Sequence, residues 1–353
     1  MRKFLLVDMY NLFHRCKHVG SGDVHLKAGM ALHIAFNSIR KMKNEFGIEH
    51  VVICLEGGSW RKKIYPEYKA NRKLNDASRT PREIKDDEYY FSVMNDFITF
   101  LEEKTNVTIL KESEVEADDF IARWIQVHPD DSHVILTSDS DFYQLLSDNV
   151  KIFDGVKGYT ITNKEVLNDR NKPAFKSKKV RDKRTNKLKE EKIFLTPPNP
   201  EYELFKKCIR GDSSDNIMSS YPNVKENGSI KKPGIVQAFE DRKNKGLLWN
   251  EFMLTEWDKV IDSEYDDNGD FIKSITQKVR VKDEYEINKK LIDLTQQPDY
   301  IKDRMDAKII EQVQKTKKSQ VGISFMKFSA KHDLKTISQN PQDYSKILSQ
   351  SYN

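Results

Sequence analysis

KFLLVDM, residues 3–9, is the stretch on which the fold turns. Phe4, Leu5, Leu6 and Val7 follow one another without a polar break and run straight into Asp8. A strand with one wet face alternates apolar and polar residues. An unbroken apolar run this short suits a strand covered on both faces, as in a parallel sheet. The same reading fits HVVICLE (50–56), HVILTSD (133–139) and NVKIFDG (149–155). Between these runs the apolar spacing turns helical: over 28–46, over 87–104 with Phe91, Met94, Phe97, Ile98 and Leu101 on one face, and over 117–128 with Ala117, Phe120, Ile121, Trp124 and Ile125 in a stripe. Strands alternating with helices predict an α/β domain with a mostly parallel central sheet flanked by helices.

The first three strands each deliver a carboxylate: Asp8, Glu56 and Asp139. In an open α/β sheet ligands gather beyond the carboxyl ends of the strands, so acids distant in sequence can meet there. EVEADDFIARW (114–124) adds Glu114, Glu116, Asp118 and Asp119; Asp141 follows Asp139 at the same spacing as Asp118 follows Glu116; Asp212 and Asp215 come later. Two like charges ~4 Å apart repel by about 4 kcal/mol at an effective dielectric near 20, so such a pocket calls for cations. Hard oxygen donors without His or Cys beside them point to magnesium or manganese rather than zinc. A pair of such ions suits phosphodiester hydrolysis.

Length and composition agree with a nucleic-acid enzyme without requiring one. The chain has 353 residues, enough for about two domains, with 37% hydrophobic and 33% charged residues and a net charge of +5. Basic residues collect around 61–85 and 170–192. Cys16, Cys54 and Cys208 lack CxxC pairing, which suits a reducing cytoplasm and excludes a zinc ribbon. No apolar run approaches the length of a membrane span, and no cleavable leader precedes KFLLVDM. The expected division is an α/β core over 1–167, a basic insertion or linker without packed structure over 168–200, and a helical region over 201–353, after the stiff TPPNP boundary at 196–200. Helices are expected over 201–210 with Gly211 as cap, 233–241, 247–262 and 300–318, and DDNGD (266–270) reads as a turn.

FLLVDMYNLFHR, CLEGGSWRKKIYPEYKANR, EVEADDFIARW, ILTSDSDFYQLL and IRGDSSDNI resemble, in order and spacing, the successive motifs of the 5′-to-3′ nuclease family over residues 1–217. That family comprises flap endonucleases, the 5′-nuclease domain of bacterial DNA polymerase I and phage 5′-exonucleases. GIVQAFEDR, LTEWDKV and INKKLIDL are similar to later helices of its phage ribonuclease H group. The resemblance implies two Mg²⁺ ions, with Mn²⁺ as a substitute. Asp8, Glu56, Glu116 and Asp118 would surround the first, Asp139, Asp141 and Asp215 the second, and Asp119 and Asp212 would act through waters or outer contacts. It further implies a helical arch over about 60–90, in which Lys69 and Arg72 grip phosphate and join Asp8, Asp118 and Asp139 in catalysis. Arg61, Lys62, Lys63, Arg79 and Arg82 would add positive charge, and Tyr65 and Tyr68 can stack on unpaired bases. One segment departs from the family pattern: MSSYPNVKENGSIKKPGIVQAF (218–239) lacks the Pro-Gly-Val-x-Gly hairpin, so Lys225, Lys231 and Lys232 would hold duplex phosphates directly.

The function expected is therefore a Mg-dependent 5′-to-3′ exonuclease, flap endonuclease and ribonuclease H type enzyme acting on RNA primers in RNA–DNA hybrids and on 5′ flaps or nicked DNA. It would be a cytoplasmic monomer, of a bacterial host if phage-encoded, with a single-strand-binding protein or sliding clamp as further partners and no membrane. Two rivals are a compact toxin-like RNA-cleaving domain, which needs neither the arch nor Asp212 and Asp215, and a non-catalytic binding protein, which would have lost an acid.

Overall fold

The computed structural model describes residues 1–19, 22–72, 79–181, 188–229, 231–265 and 271–352. They fall into two compact units: one of Met1–Trp60, Ser78–Pro200 and Gln297–Asn353, the other of Arg61–Ala77 and Glu201–Gln296. This differs from the expected 1–167, 168–200 and 201–353. The segment after residue 297 belongs with the first unit because its apolar side chains complete that unit's core.

In the first unit, β1 (Lys3–Asp8), β2 (His50–Cys54), β3 (Thr108–Leu110), β4 (Ser132–Leu136), β5 (Val150–Asp154), β6 (Tyr159–Ile161) and β7 (Val166–Leu167) make one sheet in the order β3-β2-β1-β4-β5-β6-β7. Neighbours from β3 to β5 are parallel, and β6 and β7 are antiparallel additions. Both faces are covered, which is why β1 is apolar from Phe4 to Val7. Leu5 and Val7 enter a core shared with Phe36 of the helix Val24–Phe46 and Phe97 of the helix Pro81–Lys104. Phe4 faces the other way and meets Trp124 of the helix Ala117–Val127 edge-on at 5.2 Å. The late helices Val321–Lys331 and Pro341–Leu348 seat Phe325, Phe328, Tyr344, Ile347 and Leu348 in the Phe36 core, with Phe325 edge-on to Phe36 at 5.2 Å.

Two expectations are corrected. Residues 175–181 and 188–194 are not an unstructured linker: β8 (Phe175–Arg181) pairs antiparallel with β9 (Leu188–Phe194). Basic residues conceal the pairing, since the backbone satisfies itself across the ribbon while the side chains stay in water. In the second unit, the helix expected over 247–262 stops at Leu254, and β10 (Glu256–Tyr265) pairs with β11 (Phe271–Arg280). Trp257, Val260 and Ile261 favour an extended chain, and the DDNGD turn that would close the hairpin lies outside the described residues. The helices Pro200–Arg210, Ile235–Asp241, Leu247–Leu254 and Val281–Ile292 build this unit's core on Phe205, Ile209, Ile235, Phe239, Phe252 and Val281. Cys16, Cys54 and Cys208 are free and buried. No described helix is long and apolar enough to cross a membrane.

Candidate active site

The strand order reverses between β1 and β4, so the crevice beyond their carboxyl ends is where an open α/β sheet takes a ligand. Asp8 closes β1 in register with Cys54 of β2 and is only 7% exposed. One of its oxygens accepts from the Asn11 amide at 3.0 Å and so caps the helix Met9–Val19. Val7 pairs with Leu136, and β4 then leads through buried Thr137 to Asp139. The Asp139 amide donates to the Thr137 hydroxyl at 3.0 Å, and Asp139 Oδ1 accepts the Asp141 amide at 2.9 Å, opening a short 3₁₀ turn. Asp139 and Asp141 remain half-buried at the strand end.

Glu56 is brought in by the loop after β2. The Gly57 amide donates to Val115 O at 2.9 Å, the Glu114 amide to Gly57 O at 2.9 Å, and the Trp60 amide to Glu114 O at 2.8 Å. A Cβ at Gly57 would lie 1.8 Å from Glu112 O, so only glycine permits this approach. The loop thereby sets Ser59 and Trp60 beside the crowded acids. Ser59 Oγ donates to Glu116 Oε2 at 2.8 Å. Trp60 Nε1 donates to Asp119 Oδ2 at 3.0 Å, and the same oxygen accepts the Glu116 amide at 3.3 Å. Glu112 and Glu114 engage Arg304 at 2.5 and 3.2 Å. The acids at 114–119 therefore have separate surroundings: Glu114 binds an arginine, Asp119 is fully buried as a bracket, Glu116 is buried against Ser59, and Asp118 lies close enough to Cys54 at the end of β2 for its charge to act on that thiol. Sequence reading missed Gly57, Ser59, Trp60 and Arg304. The small residues of GGSW directly after Glu56 were the available signal for the first three.

The local field is negative. Burial first, then the charges of Asp8 and Asp118, push the Cys54 thiol well above its ordinary range. Burial, then Glu56, raises the Tyr10 hydroxyl. These carboxylates suit a hard divalent cation by donor type. Among the described residues, no three His, Cys, Asp or Glu side chains are drawn together closely enough to hold an ion.

In the second unit, the loop after the helix Pro200–Arg210 carries Asp212 and Asp215. Gly211 turns it with φ 71°, and a Cβ there would lie 2.4 Å from Ile217 O. Despite partial burial, Lys207 at 2.7 Å and the Ser214 hydroxyl and amide hold the Asp212 carboxyl down to about 2. Asp215 accepts from Tyr68 OH at 3.0 Å and Arg72 at 2.9 Å, with Lys69 Nζ at 3.8 Å. Lys69 has φ 58°, and its amide donates to Asp215 O at 2.9 Å. The two expected phosphate-gripping cations are thus gathered on Asp215.

Other expected nucleic-acid contacts divide sharply. Arg61 is 2% exposed, with its Nε donating to Leu291 O at 2.7 Å, so it cannot reach a phosphate as placed. Tyr68 is 4% exposed and packs with Cys208, Ile217, Leu291 and Ile292, so it is no stacking platform. Both were expected at a surface; the Tyr68 ring fills this small core instead, and buried Arg61 sets its guanidinium 6.0 Å from that ring. Tyr65 is half-buried against the same cluster. Lys62, Lys63, Arg82, Lys225, Lys231 and Lys232 are exposed, and Arg79 pairs with Asp87. Of the arch expected over about 60–90, residues 73–78 lie outside the described residues; Arg61–Ile64 and Pro81–Lys104 are helical.

Residues 3–180 match the family model of the 5′-3′ exonuclease, N-terminal resolvase-like domain. The chain belongs to this 5′-3′ exonuclease family. Similar curated members are the flap endonuclease Xni of Shewanella loihica, 26% identical over 171 residues, and the flap endonuclease of Escherichia phage T5, 28% identical over 156 residues. The first match covers 46% of this chain and 59% of the relative, the second 43% and 51%, so the chain spans little more than half of either. The 5′-3′ exonuclease fold is also that of two solved structures. One is the bacteriophage T5 flap endonuclease in a pseudo-enzyme-product complex with DNA and metal ions, with TM-score 0.55 and 18% identity over 88% of this chain and 98% of that one. The other is the T5 5′-exonuclease with divalent zinc, with TM-score 0.55 and 19% identity over the same shares.

Proposed function

We propose that this family member hydrolyses phosphodiesters near 5′ ends, on 5′ flaps and nicked duplex DNA and on RNA primers paired with DNA. The observation that carries the reading is the set of acids at the carboxyl ends of β1, β2 and β4, astride the strand-order reversal. Flap endonuclease relatives and a fold neighbour solved with DNA support the DNA substrates.

In this proposal Asp8, Glu56, Glu116 and Asp118 hold one divalent cation, and Asp139 and Asp141 contribute to a second. Asp215 and Asp212 are retained as proposed metal-site acids of the second unit. Bound magnesium, with manganese as a substitute, would make a water nucleophilic at neutral pH and offset charge growing on the phosphate. Ser59 steadies Glu116, and the Asn11 amide steadies Asp8, so both carboxylates keep one oxygen fixed. Lys69 and Arg72 are the proposed phosphate ligands, which requires Asp215 to release them. Fragments would carry 5′-phosphate and 3′-hydroxyl ends.

A 5′-labelled flap duplex incubated with Mg²⁺ or with EDTA tests the reading. Cleavage is expected only with Mg²⁺, and Asp139→Asn should lower it by more than about 100-fold while leaving DNA binding in place. Cleavage in EDTA, or an unaffected Asp139→Asn, rejects it. Matched RNA-primed and DNA-primed templates then rank the two substrates.

A further inference from the structure

We propose that the ribbon formed by β8 and β9 is a duplex-binding arm, separate from the acids at the strand ends. The ribbon grows out of the sheet: Leu167 bridges Pro173, the Ala174 amide donates to Val166 O at 2.8 Å, and the Leu195 amide donates to Ala174 O at 2.8 Å. At its base Phe175 meets Phe194 at 6.1 Å, with Lys192 over the Phe175 ring at 4.5 Å. Beyond that base it buries almost nothing. Every residue of β9 is exposed, as are all of β8 except half-buried Phe175 and Val180. A two-stranded ribbon is marginal in water on its own, so one anchored at its root and left bare along its length is ordered for a surface role.

Its charge names the partner. The described strands carry Lys176, Lys178, Lys179, Arg181, Lys189 and Lys192 against Glu190 and Glu191, a net +4 where the whole chain is +5. Among the described residues none of these six cations makes an ion pair, although Lys178 and Lys179 lie opposite Glu191 and Glu190 in register. Register also assigns the faces: Lys176, Lys178 and Lys189 project on one side, Lys179, Arg181 and Lys192 on the other. An arm lying on a flat acidic surface needs cations on one side only. An arm seated in a groove turns its strand edges to the two phosphate ridges, and long Lys and Arg side chains from either face can reach round those edges to them. Seven residues per strand give a ribbon roughly 20 Å long. The major groove of B-DNA, about 12 Å wide, admits a two-stranded ribbon.

The test measures binding of the full chain to a blunt duplex in EDTA, so that it stands or falls independently of cleavage. One variant carries Lys176→Gln, Lys178→Gln and Lys189→Gln, a second Lys179→Gln, Arg181→Gln and Lys192→Gln, and a control carries Lys315→Gln, Lys317→Gln and Lys318→Gln. Each ribbon variant should bind at least about tenfold more weakly near 100 mM salt, and the slope of log affinity against log salt should flatten by about 0.9 for each phosphate no longer neutralised. The control should match the parent, and circular dichroism should confirm that all three fold. Unchanged slopes, an equal loss in the control, or an equal loss on single-stranded DNA overturns the proposal.

Discussion

Asp119 is fully buried, and Trp60 Nε1 is one of the donors that keep it there. Trp60→Phe removes that donor and leaves part of the indole's buried space empty, and should cost at least about 1–3 kcal/mol in a urea titration because the carboxylate stays buried. Gly57 is stricter. Gly57→Ala forces the Glu56 loop away from Glu112, and should lower stability by about 1–3 kcal/mol and cleavage along with it. The acids themselves were legible, since strand ends and paired spacings expose them in the sequence. Their separate partners were not: that Asp119 is bracketed by Trp60 and Glu116 is held by Ser59 depends on residues far along the chain. Tyr68 was misread for a similar reason. A tyrosine among lysines looks solvent-facing until Leu291 and Ile292 are seen against it.

At the scale of elements, continuous apolar runs revealed the four long parallel strands, whereas β3, β6 and β7 have two or three residues each and carry no period to read. The helix expected from 87 begins at Pro81, because Thr80 and Glu83 form a reciprocal cap: the Thr80 amide donates to Glu83 at 2.8 Å and the Glu83 amide to the Thr80 hydroxyl at 3.3 Å. The T-P-R-E signature was present in the sequence, but the apolar stripe starts later and drew the boundary inward. Thr80→Ala should destabilise the first unit by about 1 kcal/mol, read as a lowered urea midpoint with an unchanged slope. Both antiparallel ribbons escaped detection because exposed strands lack the apolar alternation that burial imposes.

At the scale of the molecule, the first unit is assembled from three separated lengths of chain. Around the amino ends of β1, β2 and β4, His50 bonds Thr108 and Gln350 O, and His128 bonds Trp124 O and Tyr352 OH. His133 is fully buried, and among the described residues neither of its ring nitrogens has a partner. Burial above all lowers His50 and His133 to about 4, from 6.5 in the unfolded chain. Because the unfolded state takes up these protons more readily, their stabilising effect is complete above pH 6.5 and is lost as pH falls toward 4, by up to about 3 kcal/mol each. Urea midpoints at pH 7, 5.5 and 4.5 should fall accordingly, and His133→Phe should flatten the decline. A chain ending at residue 296 should fail to form the first unit, seen as lost helical ellipticity or insolubility, since Phe325, Phe328, Ile337, Tyr344, Ile347 and Leu348 leave its core. The same closure has a meaning for synthesis. A ribosome releases the strands β1 and β2 long before the helices that seal Phe36 and Phe97 exist, so the nascent polypeptide must wait, greasy side outward, until residues 321–348 have been made. Chaperone occupancy during that interval would then bear on how much folded protein a cell recovers.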